Sequence, residues 1–280
     1  MPDILCIGWV SIDFIGYVPR VPAAAEHALA HDMDAACGGR AASQAMAVSA
    51  LEGRAALLAR IGTDPHAELL EHELEELEVD LSMLAKAPAP TGIRLVAQPD
   101  AGVHSVVAYP GANEFLTADD INRNSAGFAD ARVVLVTAEA PGSVALRALE
   151  LARQGGAHGV LTHIAGAELS DRVLAASDIV VVSAATARGL LDPELAATRT
   201  EHAARVLLQR GARCVVLAAG QSVLVATAQG LRAVPSPGSI DDEDSIDAFV
   251  GGLACGLAEG EDVPTAVGRG TRAAGMLVGD

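Results

Sequence analysis

Basic residues are scarce in this chain, and lysine is nearly absent. Of 280 residues, 19 are Lys or Arg against 36 Asp or Glu, Lys86 is the one lysine, and the formal net charge is −17. A field of that sign repels a nucleic-acid duplex and an anionic membrane surface, so neither is an expected partner. It also works against a polyanionic small molecule such as ATP, unless a local basic group or Mg²⁺ offsets it; close geometry outweighs screened distant charge. Long apolar runs are missing as well. Hydrophobic residues make up 51 %, yet no uninterrupted stretch reaches the ~20 residues of a membrane span. The opening Met1-Pro-Asp-Ile-Leu-Cys-Ile-Gly8 lacks the basic segment of a secretory signal and passes directly into a strand-like run. The four cysteines, Cys6, Cys37, Cys214 and Cys255, are scattered without a C-x-x-C pair, as expected of reduced thiols in a cytoplasmic protein. There is no Walker lysine motif, no G-x-G-x-x-G after a strand and no G-x-S-x-G elbow.

What is present is an alternation of short β-branched runs with Ala/Leu-rich segments. Strands are expected at Ile4–Gly8, Ala55–Ile61, Arg132–Thr137, Gly159–Thr162, Asp178–Val182, Arg213–Ala218 and Ser222–Ala226. Helices are expected at Arg40–Glu52, Pro65–Glu78, Ala118–Ser125, Ser143–Gln154, Glu168–Ala176, Arg199–Arg210, Ser245–Glu259 and Pro264–Val278. Thr117 with Asp120 three residues on has the form of a capping box and fixes one helix start. Val133-Val-Leu-Val136 and Ile179-Val-Val-Val182 are apolar throughout, which suits a parallel sheet covered on both faces. The expected class is α/β, a doubly wound sheet between helical layers. Gly92–Ala97 and His104–Tyr109 break the alternation; the turn-rich Gln98-Pro-Asp-Ala-Gly-Val103 between them reads as a hairpin connector. Phe14–Arg20 has similar character. With no linker or repeat, the chain reads as one domain over 1–280, carrying a small β lid built from about 14–37 and 91–110.

The segment Asp241-Asp-Glu-Asp-Ser-Ile-Asp-Ala-Phe-Val-Gly-Gly252 reads as an acidic loop entering an apolar helix, with Asp247 in its first turn. That placement suits a base aimed at a hydroxyl beside a phosphate-binding helix N-terminus, or simply an acid that favours the macrodipole. Asp13, after a strand and a glycine, faces the crevice where α/β sheets bind ligands, and Glu139 follows a strand end in the same way. Asp241, Asp242, Glu243 and Asp244 have oxygen ligands suited to Mg²⁺ or Ca²⁺, but a solvated acidic loop accounts for them more simply. His27 and His31 lack an evident third ligand, so no metal site is expected. His163 ends a strand over the crevice.

Taken in order, these segments resemble the ribokinase-like (PfkB) carbohydrate kinases over essentially the whole chain. Ile7-Gly-Trp-Val-Ser-Ile-Asp13 is similar to that family's first strand and turn, where an Asp contacts sugar hydroxyls. Gly38-Gly-Arg-Ala-Ala-Ser-Gln-Ala45 resembles its first signature, a Gly-Gly pair and a helix lining the sugar site. Ile61-Gly-Thr-Asp64 and Pro110-Gly-Ala-Asn113 resemble family turns, and Asp247-Ala-Phe-Val-Gly-Gly252 resembles the second signature, whose Asp is the catalytic base. The resemblance implies a three-layer α/β/α sandwich with a mostly parallel sheet and a β lid. It implies ATP-dependent phosphoryl transfer to a sugar-like or nucleoside hydroxyl, with Asp247 as base. Asp13, Gly38, Gly39, Arg40, Ser43 and Glu139 would then hold the substrate, Mg²⁺ and ATP would serve as cofactors, and a homodimer through the lid is plausible.

The departures gather on the nucleotide side. Asp244-Ser245-Ile246 stands where the family has Gly-Ala-Gly, whose backbone N–H groups form an anion hole. A β-branched Ile resists the backbone angles that glycine permits. Losing one such donor costs roughly 2.7–4 kcal/mol, and a carboxylate ~4 Å from a phosphate adds ~4 kcal/mol of repulsion at an effective dielectric near 20. Ser183-Ala-Ala-Thr186 lacks the family's Asn-x-x-Glu, Ala218-Ala-Gly220 reduces its Thr-x-Gly, and Gln221-Ser-Val223 lacks a late glycine. The chain ends at Gly279-Asp280, where members commonly continue. On the sugar side Ala41 and Ser43 replace Gly and Asn. Asp244, Ser245, Ile246 and Gly220 are the degenerate cofactor positions. Three functions follow: an active sugar or nucleoside kinase, a pseudokinase that binds a ligand or partner without transfer, and an enzyme reusing the crevice with Asp247 or His163 as proton shuttle.

Overall fold

The computed structural model describes residues 2–162, 169–189 and 200–278. From the N-terminus, β1 (Ile4–Ile7) leads to β2 (Ser11–Val18), β3 (Asp32–Gly38) and α1 (Arg40–Ala50). Then come β4 (Ala55–Leu58), β5 (Arg60–Ile61), α2 (Pro65–Glu76) and β6 (Ala85–Lys86). A hairpin, β7 (Ile93–Pro99) and β8 (Ser105–Tyr109), precedes α3 (Ala118–Arg123). Alternation resumes with β9 (Val133–Thr137), α4 (Gly142–Gly155), β10 (His158–Thr162), α5 (Asp171–Ala176), β11 (Ile179–Ser183), α6 (Ala184–Gly189) and α7 (Thr200–Gln209). The last elements are β12 (Cys214–Ala219), β13 (Ser222–Thr227), β14 (Gly230–Pro235), α8 (Glu243–Ala258) and α9 (Val263–Leu277).

Eight strands form the central sheet in the order β14-β13-β12-β11-β10-β9-β1-β4. Six run parallel, and β13 and β14 return antiparallel at one edge. Alternate residues of each inner strand enter opposite cores: Ile4, Cys6, Val133 and Leu135 pack with α1, α2, α8 and α9, while Leu5, Ile7, Val134 and Val136 pack with α3, α4, α5 and α7. This two-sided burial is why the strands read as unbroken apolar runs. The result is the expected α/β/α sandwich.

β1 lies between β4 and β9, so the chain first builds outward to one side of β1 and then crosses to the other. Strand order reverses there, and the carboxyl ends of β1 and β9 border a crevice. Over it stands a separate four-stranded sheet in the order β3-β2-β7-β8. Its strands span 11–38 and 93–109, against the expected 14–37 and 91–110. β3 had no hydrophobic signal, since Asp32-Met-Asp-Ala-Ala-Cys-Gly38 is mostly small or acidic and largely exposed. Edge strand β14 was also unexpected, and Ala55–Ile61 divides into β4 and β5.

One helix start differs in a way that matters below. Helix α8 begins at Glu243, not Ser245, because Asp242 serves as its N-cap and accepts from the Ser245 N–H at 2.7 Å. Asp247 is therefore in the second turn. His163 and the expected helix start at Glu168 lie outside the described residues, as do Arg199 and Gly279-Asp280; the described helix there starts after the Ser170 cap. Among the described residues no helix is long and apolar enough to cross a membrane.

The turn between β1 and β2 is held by Asn113, which is 2 % exposed. Its Oδ1 accepts from the Val10 N–H at 2.9 Å and its Nδ2 donates to the Val10 carbonyl at 2.7 Å. Asn113→Ala strands both groups, and each buried orphan costs roughly 1–3 kcal/mol. Denaturant unfolding is expected to show a loss of about 2–4 kcal/mol, without change of fold by circular dichroism.

Candidate active site

Three chain segments deliver carboxylates to the crevice. Asp13 lies two residues into β2, where it accepts from the Ser11 hydroxyl at 2.7 Å and from Arg94 Nη1 at 3.0 Å. Arg94 is its register partner on β7. Burial raises the Asp13 pKa, while Arg94 and Ser11 oppose the rise. Gly38 is needed beside it, because a Cβ there would stand 2.3 Å from the Asp13 carboxyl carbon. Gly39 takes φ +85° and passes so close to Trp9 that a Cβ would meet its carbonyl at 2.7 Å. The backbone then enters α1 directly, with Arg40 as its first residue.

Arg40 and Gln44 are four apart and share one face of α1. Both reach Asp247 on α8: Gln44 Nε2 donates to Oδ1 at 2.9 Å and Arg40 Nη2 lies 3.2 Å from the same oxygen. Gly251 allows α8 this close, since a Cβ there would sit 2.7 Å from the Ala47 Cβ. Both contacts fall on Oδ1, which leaves Oδ2 for a substrate. Burial raises the Asp247 pKa to about 7, against the pull of Arg40 and Gln44. Glu139, just past β9, is likewise raised to about 7 by burial, with Arg40 opposing and Asp247 adding to the shift.

Several polar atoms along these strand ends have no protein partner: Trp9 Nε1, Arg40 Nε, Gln44 Oε1, Thr137 Oγ1, Glu139 Oε2 and Thr162 Oγ1. Buried polar groups are normally satisfied, so this concentration fits a ligand that presents many hydroxyls. A cavity of about 340 Å³ is lined by Asp13, Gly38, Ser43, Arg94, Glu243, Asp244 and Asp247, among others. Asp13, Gly38, Ser43 and Asp247 are thus brought to one cavity; Arg40 and Glu139 are not among its lining residues and meet the site through Asp247, Arg40 by contact and Glu139 by charge.

Gln44, Arg94 and Glu243 were not assigned roles from the sequence. Gln44 sits inside the Gly-Gly signature, and the available signal was its spacing from Arg40. Arg94 is the one charge in Ile93-Arg-Leu-Val-Ala97, an isolated cation in an apolar strand. The acids at 241–244 do not form a loose loop: Asp241 accepts from the Gly220 N–H at 3.0 Å and from Ser239 at 2.5 Å, Asp242 caps α8, and Glu243 Oε2 takes Arg94 Nη2 at 2.7 Å.

The cofactor positions differ from expectation. Asp244, Ser245 and Ile246 are ordinary helical residues without left-handed φ, so Ile246 carries no backbone strain. What opposes a phosphate is that the Ser245 and Gly220 N–H groups are already accepted by Asp242 and Asp241, and that Asp244 is exposed beside them. A phosphate reaches these two N–H groups only by displacing the exposed carboxylates of Asp241 and Asp242.

The description "pfkB family carbohydrate kinase" matches residues 1–280. The chain belongs to that family of carbohydrate kinases. Among its relatives, a ribokinase of Mus musculus is 25 % identical over 267 residues, covering 91 % of this chain and 81 % of the relative. An ATP-dependent ribose-1-phosphate kinase of Halopiger xanaduensis is 29 % identical over 200 residues, covering 69 % and 66 %. Among solved structures, ribokinase from Thermotoga maritima superposes with a TM-score of 0.86 at 22 % identity, over 100 % of this chain and 94 % of that one. Ribokinase from Arabidopsis thaliana, solved with ribose and ATP, gives 0.79 at 20 % identity, over 98 % and 91 %.

Gly38→Ala is expected to push Asp13 out of place and break its pair with Arg94. Binding of a hydroxyl-bearing ligand should weaken on the order of tenfold, read by calorimetry across a sugar and nucleoside panel.

Proposed function

We propose that the protein phosphorylates a hydroxyl of a sugar-like or nucleoside acceptor, with Asp247 as the base. One observation carries this: Asp247 and Asp13 line the same cavity, while one oxygen of the Asp247 carboxyl is held by Gln44 and Arg40 and the other has no protein partner. Oδ2 takes the proton of the acceptor hydroxyl, and the Oδ1 contacts fix the carboxylate and favour its charged form. Asp13 and Glu139 accept from other hydroxyls and set the acceptor's orientation, which is where most of the rate gain in phosphoryl transfer arises. ATP with Mg²⁺ supplies the phosphoryl group in the activity the family description implies. Relatives bearing the names ribokinase and ribose-1-phosphate kinase support a pentose-sized acceptor. The small sheet carries exposed Leu95, Val107 and Tyr109, apolar surface that suits pairing of lids between two subunits.

Transfer of labelled γ-phosphate to a sugar and nucleoside panel tests the reading. Since burial lifts the pKa of Asp247 to about 7, the base is protonated and idle below that pH. The value of kcat/KM should climb with pH up to about 7 and level off above it. Asp247→Asn is expected to cost on the order of 10²–10⁴ in kcat; unchanged turnover in that variant would remove the proposed base.

The closed donor end favours one alternative, a protein that binds the acceptor without transferring phosphate. Calorimetry with Mg·ATP separates the two, since tight binding by the unmodified chain disposes of the alternative. In that alternative, glycine at both 244 and 246 should leave the affinity for the acceptor undiminished.

A further inference from the structure

The cavity that Asp13 and Asp247 share changes character along helix α1. Ser43, Met46, Ala47 and Ala50 recur at helical spacing and present one face of α1 to it. From Ser43 to Ala50 that face runs about 10 Å, and beyond Ser43 its lining side chains are apolar. Leu77 lines the cavity at the far end of α1, where the Ser49 hydroxyl donates to the Leu77 carbonyl. Leu277 and Val278 supply a further wall. They arrive there because α9 packs antiparallel on α8, with Ala273 beside Gly252 and Ala266 beside Gly256, so that its last turn reaches the first turns of α8.

Single exposed apolar residues are ordinary on a protein surface. Outside the small sheet and its loops, the exposed large ones among the described residues are Leu77, Phe115, Met276, Leu277 and Val278. Three of them, Leu77, Leu277 and Val278, are 40 %, 40 % and 39 % exposed and line this one cavity, although one follows α2 and the others end α9. Apolar surface gathered in this way and rimmed by polar groups marks a binding site. Its chemistry is narrow. Apart from the weakly accepting thioether of Met46, these side chains hold no hydrogen-bonding group. A nucleobase laid on them would leave its ring donors and acceptors unpaired, and an anion would meet no cation among them. A saturated chain loses nothing there and gains by leaving water.

We propose that the acceptor is an amphiphile: a hydroxyl-bearing head held by Asp13 and Asp247, joined to an alkyl chain that lies along α1 between Leu77 and Leu277. The inference rests on the acceptor-pocket reading above and adds a substrate class to it. Ala50, exposed at the end of α1, is a specificity-determining residue for that class. Its methyl group leaves the helix face open where a larger side chain would fill it.

The test is calorimetry on the full chain with ribose, its methyl, butyl and hexyl ribosides, adenosine and hexanol, all below the concentration at which the ribosides form micelles. Affinity is expected to rise roughly two- to fourfold for each methylene the groove covers. Hexyl riboside should then bind on the order of tenfold or more tighter than methyl riboside, and hexanol, which lacks the head, far more weakly. Ala50→Phe fills the α1 face and should bring hexyl riboside level with methyl riboside. Leu277→Ser, at an exposed site, should reduce the gain per methylene and serves if Ala50→Phe fails to fold in thermal melts. Equal affinity of methyl and hexyl ribosides, hexanol or adenosine binding as tightly as hexyl riboside, an undiminished gain in a folded variant, or no binding of any probe overturns the inference. Phosphoryl transfer to ribose without an effect of chain length sinks it and leaves the kinase reading standing. A chain-length gain in binding without transfer to any acceptor does the reverse.

Discussion

The contact between α1 and α8 decides most of what this molecule can do. Helix α1 follows the Gly38-Gly39 turn near the start of the chain, and α8 arrives some two hundred residues later. Gly251 lets the two helices approach until the Arg40 guanidinium and the Gln44 amide reach the Asp247 carboxyl. A carboxylate removed from water is costly unless charge and hydrogen bonds compensate. Here compensation is incomplete, and the group is left near neutrality with a pKa of about 7. That balance gives a group able to gain and lose a proton at ordinary pH, and it exists only while the two helices remain packed.

Much of the architecture was legible because its causes are local or periodic. Strands buried on both faces read as apolar runs, and Thr117 with Asp120 forms the capping box in the structure as in the sequence. The ordered signatures at 38–45 and 247–252 were enough to indicate the family that the whole-chain match bears out. The lid was only half legible. Strands β7 and β8 carry hydrophobic residues and a turn, whereas β3 is held by backbone pairing to β2 and has no apolar face to announce it. The start of α8 was misplaced by two residues because four consecutive acids look alike in sequence. Only the fold distinguishes the cap, the arginine partner and the partner of Gly220 among them.

That misplacement changes the physical account of the degenerate donor side. From the sequence, Ile246 was the obstacle, a bulky residue where glycine angles are expected. In the structure the backbone there is ordinary helix, and the obstacle is occupancy: carboxylates of the chain already accept from the N–H groups that a phosphate would seek. The distinction bears on reversibility. A strained backbone must be rebuilt by mutation, while a hydrogen bond to an exposed acid can be exchanged in the lifetime of a complex.

The small and large sheets are joined by four chain crossings, and all of them gather at Val10. The chain enters β2 there, and Gly39, where it leaves β3, passes so close that a side chain would touch the Val10 Cα at 2.7 Å. Gly92, before β7, leaves room for nothing larger between the Val10 carbonyl and Asn113, and Asn113 itself ties the exit of β8 to both backbone groups of Val10. Four connections fastened at one spot make Val10 the common anchor of the small sheet. Two further ties, Arg94 to Glu243 on α8 and the Cys37 N–H to Glu73 on α2, hold the sheet at its faces, so Asp13, three residues from Val10, is fixed from both sides.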